Sequence, residues 1–307
     1  MSPLTVTVSA PDGPVQVRVW PADERGAVAG PVLLACHGWT DSGEVFGPLA
    51  TRLRRRWTVV APDAPAHGGT PLRDGDYVVA DHVTAVLAVV AALPRVAGVG
   101  GRPVVLLGHS MGALTAARVA AARPDVVSAL VLEDPARTTP RRSQSTARVK
   151  AWVDGLQAGT HEDRVAWVRT NHPNWPRAEL GPWAHSKADV DVRHLERRVD
   201  WGEPLPALLA DVPCPVLVVR GEPAKGGIVS ATAARRCAAA CAGGAEVLTL
   251  DAGHCPRREA PRAFAGALAA VLTAARQPPS AARAPVRPLR PRGPLGTRTG
   301  RASHASR

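Results

Sequence analysis

The sequence predicts an α/β fold, a doubly wound and mostly parallel sheet with an inserted helical cap. Three observations carry this reading. Short apolar runs bounded by proline and glycine alternate with alanine-rich stretches at helical spacing, the rhythm of strand and helix units that build a parallel sheet covered on both faces. The apolar runs are continuous, as in strands buried on both faces. The rhythm stops between residues 136 and 210 and resumes at 214, which marks an insertion.

The elements follow in order. Segments 4–8 and 15–20 are β-rich and open the chain as an antiparallel pair. PVLLAC (31–36) is too short for a helix and forms the first buried strand, followed by a helical stretch over 44–56. WTVVAP (57–62) is the next strand, and 77–93, rich in Ala and Val, the next helix. PVVLLGH (103–109) leads directly into MGALTAARVAAARP, a helix that ends before Pro124. VVSALVLED (126–134) repeats the strand signal. Beyond the insertion come strand 214–222, a helix near 229–242, strand 245–250 and a last helix near 256–276. The core is thus 1–135 with 211–276, and the cap 136–210. Five of the eight tryptophans (152, 167, 175, 183 and 201) fall in that cap, and such a concentration makes an apolar ceiling over a site. Trp152 and Trp183 are the candidate substrate contacts, with plain packing of the cap onto the sheet the alternative for each.

The net charge of +12 raises nucleic acid or an anionic membrane as partners. Its distribution points elsewhere. Eight of the 38 basic residues and none of the 26 acids lie between Arg276 and Arg307, so residues 1–275 carry only +4. The stretch 277–307 is rich in Pro, Arg, Ser and Ala without apolar periodicity, which predicts a disordered basic tail. It has no aromatic residue to stack on bases, so neither nucleic acid nor membrane is expected as a partner. The five cysteines (36, 214, 237, 241, 255) are odd in number and lack a CxxC pair, which is not a disulfide framework. Cys237, Cys241, His254 and Cys255 fit no zinc spacing. No apolar run reaches the roughly 18 residues of a membrane-spanning helix, and the start MSPLTVTVSA reads as neither basic leader nor signal core. A cytoplasmic protein with reduced thiols is expected.

The chemistry centres on Gly108-His109-Ser110-Met111-Gly112, where a buried strand stops and a helix begins with one serine between two glycines. This is the arrangement of a nucleophile elbow. The glycines admit a strained turn, and the helix N-terminus favours a developing anion beside the Ser110 hydroxyl. A serine hydroxyl needs a base. Of the ten histidines, His254 in Asp251-Ala252-Gly253-His254-Cys255 fits best, on a short loop between the last strand and the last helix. His109, a neighbour inside the elbow, points away from Ser110. An oxyanion hole is expected from the Trp39 amide, in the His37-Gly38-Trp39 turn, and the Met111 amide. Trp39 also stands as a wall of the acyl pocket.

Taken together, these segments resemble the α/β-hydrolase family over residues 1–275: the HGW turn, PDAPAHGGT (62–70), GHSMG, LEDPA (132–136) and AGHCPRRE (252–259) occur in the family's order. The cap segment HPNWPRAELGPWAHSKADVD (172–191) is similar to that of a bacterial subgroup. The resemblance implies the α/β-hydrolase fold, a Ser-acid-His triad, hydrolysis of an acyl or related bond, and no metal or organic cofactor. Serine at the elbow argues against dehalogenases and epoxide hydrolases of this fold, which use Asp there. The acid departs from the pattern. Relatives place an Asp shortly after the strand at 214–221, where this chain reads Gly221-Glu222-Pro223-Ala224-Lys225-Gly226-Gly227. Asp134, at the end of the preceding strand, is favoured, with Glu222 the alternative and Glu133, on the opposite strand face, third. Asp63 with His67 resembles a structural turn of the family.

The expected activity is that of a serine hydrolase (carboxylesterase- or lactonase-like) cleaving a small, largely apolar ester, lactone or thioester through an acyl-enzyme. Carbon–carbon bond hydrolysis uses the same constellation and stays open, as does a non-catalytic ligand-binding member of the fold.

Overall fold

The computed structural model describes residues 2–23, 31–98, 104–138 and 146–274. The expected basic tail at 277–307 lies outside the described residues, as do 139–145 of the expected cap.

Strands β1 (Leu4–Ala10) and β2 (Gly13–Trp20) form an antiparallel pair. They are followed by β3 (Val32–Cys36), α1 (Gly47–Leu53), β4 (Thr58–Pro62), the short β5 (Tyr77–Val78), α2 (Val79–Val96), β6 (Val104–His109), α3 (Met111–Ala122) and β7 (Val127–Glu133). Next come α4 (Thr146–Gln157), α5 (His161–Asn171), α6 (Arg177–Ala188), β8 (Val199–Asp200) and α7 (Leu205–Leu209). The chain continues through β9 (Val216–Arg220), α8 (Ala231–Ala240), β10 (Ala245–Thr249), α9 (Pro256–Glu259) and α10 (Pro261–Ala274).

Among the described residues eight strands form one sheet in the order β1, β2, β4, β3, β6, β7, β9, β10. β2 meets β4 antiparallel, and every pairing from β4 to β10 is parallel. The continuous apolar runs are explained by burial on both faces. On β3, Val32, Leu34 and Cys36 enter the cluster under α2 and α3, while Leu33 and Ala35 enter the one under α1 and α10. β6, β7 and β9 divide their side chains in the same way. Each such aliphatic side chain contributes about 1.5–3 kcal/mol, so these strands fix the register that brings their C-terminal ends together.

Two expectations are corrected. The last helix is broken into α9 and α10 because Pro261 disfavours helical backbone at Ala260, which sits at φ −125° and ψ 56°. One segment, Val79–Val96, does have the length and apolarity of a membrane span. It carries Asp81, His82 and Arg95 and buries nine residues, among them Val83, Val86 and Val90, in the core.

Within the segment expected as cap, α4, α5 and α6 share a cluster of Leu156, Val168, Trp175, Leu180 and Trp183, which also takes in Cys255 beside His254. α5 starts at a reciprocal cap between Thr160 and Asp163. The leucines of α7 pack instead into the cluster of α2, α3 and α8.

Candidate active site

The elbow is built by close packing. Between β6 and α3, Ser110 adopts φ 51° and ψ −111°, a conformation disfavoured for a residue with a Cβ. Its surroundings hold it there: Ser110 N donates to Glu133 O (3.0 Å), and its carbonyl accepts from Ala136 N (3.1 Å) and Ala113 N (3.2 Å). A Cβ at Gly108 would lie 2.5 Å from Ala113 Cα, and one at Gly112 would overlap the carbonyls of Cys36 and His37. Only glycine lets α3 start this close to β3 and β6.

His254 lies on the loop after β10. Its Nε2 is 3.1 Å from Ser110 Oγ and its Nδ1 2.7 Å from Asp134 Oδ2. A carboxylate only accepts, so the proton sits on Nδ1, and the Nε2 lone pair faces the serine hydroxyl, which donates. Asp134 is fully buried at the end of β7, with φ 36°. Besides His254, the Ile228 amide (2.8 Å) and, more loosely, the Gly221 amide (3.4 Å) donate to its carboxylate.

Glu222 and Glu133 are occupied otherwise. The Glu222 side chain is 41% exposed and pairs with Lys225 at 3.6 Å. The loop that carries it reaches the site through backbone, since Gly221 and Ile228 flank it and supply the amides on Asp134. Glu133 accepts from both the amide and Nη1 of Arg257, each at 2.7 Å. These amide donors were not legible in the sequence, because any residue type supplies an amide. His109 lies behind the elbow, where its Nε2 donates to the His254 carbonyl at 3.0 Å. Burial holds its pKa well below the ordinary value, with the Arg257 guanidinium adding to the effect.

The turn after β3 packs on the elbow. A Cβ at Gly38 would lie 2.6 Å from His109 Nδ1 and 3.4 Å from Ser110 Cβ, so Trp39 begins beside the nucleophile. The Trp39 indole donates to His194 Nε2 (2.9 Å) and meets Trp201 edge-on at 5.5 Å. Asp63 and His67 brace this turn: the Gly43 amide donates to Asp63 (2.7 Å), Arg18 pairs with Asp63 at 2.6 Å, and the Thr40 amide donates to His67 Nε2 (3.3 Å). Trp152 of α4 and Trp183 of α6 pack on each other at 6.3 Å, with Trp167 of α5 stacked on Trp183 at 5.3 Å.

A buried charge cluster joins these parts. Asp41 pairs with Lys187 of α6 (2.5 Å) and Arg258 of α9 (3.0 Å), and Arg258 lies 3.8 Å from Glu179 of α6. Burial pushes the Asp41 carboxyl up, yet Arg258, Lys187 and Arg257 together hold it well below the usual carboxylate range. Burial pushes the Glu179 carboxyl up.

A hydroxyl aligned on an imidazole that is itself aligned on a buried carboxylate is the geometry of nucleophilic acyl transfer. Comparison with known proteins finds hydrolases. The chain is 32% identical over 226 residues to 2-(acetamidomethylene)succinate hydrolase of Mesorhizobium japonicum, covering 68% of this chain and 76% of that protein. It is 34% identical over 178 residues to the lipase LipV of Mycobacterium tuberculosis, 58% of this chain and 59% of the lipase. Among solved structures, E-2-(acetamidomethylene)succinate hydrolase superposes with a TM-score of 0.64 at 24% identity, over 88% of this chain and 99% of its own. The thioesterase domain from the curacin biosynthetic pathway gives 0.66 at 18%, over 89% and 100%, a likeness of fold alone. Residues 32–268, from the first buried strand to the last helix, match the alpha/beta hydrolase family, and the chain belongs to that family.

Proposed function

We propose that this hydrolase-family chain is a serine hydrolase cleaving a small, largely apolar ester, lactone or thioester through an acyl-enzyme. The observation that carries the reading is the unbroken line Ser110 Oγ, His254 Nε2, His254 Nδ1, Asp134 Oδ2, with contacts of 3.1 and 2.7 Å. In the proposed reaction His254 Nε2 takes the Ser110 proton as Oγ bonds to the carbonyl carbon. The amides of Trp39 and Met111 hold the oxyanion, and an oxyanion donor is typically worth about 10²- to 10³-fold in kcat. Collapse breaks the bond to the alcohol or thiol, which leaves with the proton from His254. Water, activated by the same imidazole, then releases the acid. Asp134 holds the tautomer and stabilises the imidazolium. Trp39, Trp152 and Trp183 are proposed to shape the acyl pocket. The substrate is a free small molecule. The five unpaired cysteines support a cytoplasmic setting.

A fluorophosphonate probe tests the reading. Wild type should label and hydrolyse p-nitrophenyl butyrate, and Ser110→Ala should do neither, with turnover down about 10³-fold or more. An unlabelled wild type would favour a ligand-binding member of the fold. Labelling without ester turnover would favour carbon–carbon bond hydrolysis.

A further inference from the structure

One side chain of the cap segment reaches the turn that carries Trp39. Lys187, near the end of α6, is 2% exposed. Its ammonium donates to Thr40 O (2.7 Å), Thr40 Oγ1 (3.3 Å) and Asp41 Oδ1 (2.5 Å), which uses all three protons. It also lies over the Trp183 ring at 5.1 Å and the Trp152 ring at 5.8 Å, as a desolvated cation does where aromatic faces replace water. None of its donors is left for a substrate, so it acts on the protein itself.

The residue it grips is the one after Trp39. Thr40 sits at φ 70°, a left-handed conformation unfavourable for a β-branched side chain. It is held from two sides: its amide donates to His67 of the core (3.3 Å), and its carbonyl accepts from Lys187. Asp41 N closes the turn onto Gly38 O at 3.1 Å. The Asp41 carboxylate joins Lys187 to Arg258, four residues after His254. One buried carboxylate therefore ties helix α6, the Trp39 turn and the histidine loop together.

We propose that Lys187 is a positioning residue for the oxyanion hole: by holding the Thr40 carbonyl and Asp41, it makes the aim of the Trp39 amide depend on the seating of α6. This rests on the serine hydrolase reading and deepens it. Binding energy that a substrate gains against the tryptophan cluster then reaches the reacting carbonyl through Lys187, so a substrate that seats α6 is turned over faster, not only held more tightly.

The test compares wild type with Lys187→Met in the full chain, using p-nitrophenyl butyrate turnover and inhibition by butylboronic acid, which forms a tetrahedral adduct on an activated serine. Asp41 keeps Arg258 and Arg257 as partners in the variant. The expected result is kcat lower by about 10- to 100-fold, KM within about threefold, and a boronate Ki raised by the same factor as kcat falls, as loss of oxyanion alignment requires. A lower melting temperature with kcat and Ki unchanged, or a change in KM alone, overturns the proposal and leaves Lys187 a strut between α6 and the core. If Lys187→Met does not fold, Lys187→Met/Asp41→Asn removes one cation and one anion together, and the same two outcomes decide. Failure of wild type to bind the boronate or label with fluorophosphonate would instead overturn the serine hydrolase reading, and this proposal with it.

Discussion

Asp134 Oδ2 lies 2.7 Å from His254 Nδ1, although the two residues are 120 positions apart. The loop after β9 packs against the Asp134 carboxylate and contributes amides to it instead of a carboxylate of its own. Asp134 is buried in that cradle, while Glu222 is partly exposed and paired with Lys225.

Replacing the two carboxylates by amides separates them. Asp134→Asn removes the charge that orients the imidazole and stabilises its protonated form, so kcat should fall by about 10²- to 10⁴-fold with the fold intact. Glu222→Gln should keep kcat within about threefold. Parallel kinetics and circular dichroism of both variants check this, and the opposite ranking would move the acid to Glu222.

Gly38→Ala tests the packing of the Trp39 turn on the elbow. Its Cβ would lie 2.6 Å from His109 Nδ1, and His109 has no slack because it also holds the His254 carbonyl. We expect kcat/KM to drop by at least about 10-fold, since small misplacements of reacting groups are costly. The control is Gly266→Ala in α10, where nothing lies within 4 Å of the added methyl. That variant should gain about 0.5–1 kcal/mol in urea unfolding and leave kinetics unchanged.

Much of this was legible in the residues. The order of buried strands, the elbow at Ser110 and the loop of His254 all follow from apolar runs ending in glycine-containing turns, which are local signals. For the acid, the sequence offers only the lack of an Asp at the usual position together with a carboxylate at the end of the strand before it, which favours Asp134 over Glu222 by analogy of fold. The cradle that receives it is made of amides, which leave no side-chain signature. The break at Ala260 was readable in principle, since Pro261 is plain in the sequence. Lys187 was not. It is one of only three lysines among 38 basic residues, but nothing local shows that its partners lie 146 and 147 positions away in the Trp39 turn. Long-range pairing of charges depends on how α6 settles on the core, which periodicity does not encode.

The tryptophans should divide by burial. Trp183 is 3% exposed and stacked on Trp167, so Trp183→Ala should cost about 3–5 kcal/mol as a core truncation. Trp152 is only half-buried beside it. For Trp152→Ala we expect a change in KM or acyl-length preference larger than any change in kcat for acetate esters, measured over a series of p-nitrophenyl esters. An unchanged series would assign Trp152 to packing alone.

Acid should unfold this protein through its buried histidines. His37, His67, His82, His109 and His194 all have pKa values lowered first by burial, His82 to about 3. A folded pKa below the unfolded value of about 6.5 means that the unfolded chain binds the proton first. Stability is therefore full above about pH 6.5 and falls as pH drops toward the folded values, each group adding at most about 1.4 kcal/mol per pH unit. His82 isolates one share of this slope. Neither of its ring nitrogens has a hydrogen-bond partner among the described residues, and its ring packs edge-on against Tyr77 at 5.0 Å and Trp201 at 6.4 Å. A phenyl ring keeps those contacts and has nothing to protonate. His82→Phe should match or exceed wild-type stability at pH 7.5, where it also removes two desolvated polar atoms. At pH 5.0 its advantage should be larger by about 1–2 kcal/mol, from about 1.5 pH units of unmatched titration. Urea unfolding at the two pH values reads the difference directly. An advantage independent of pH would mean that His82 does not take part in the acid transition.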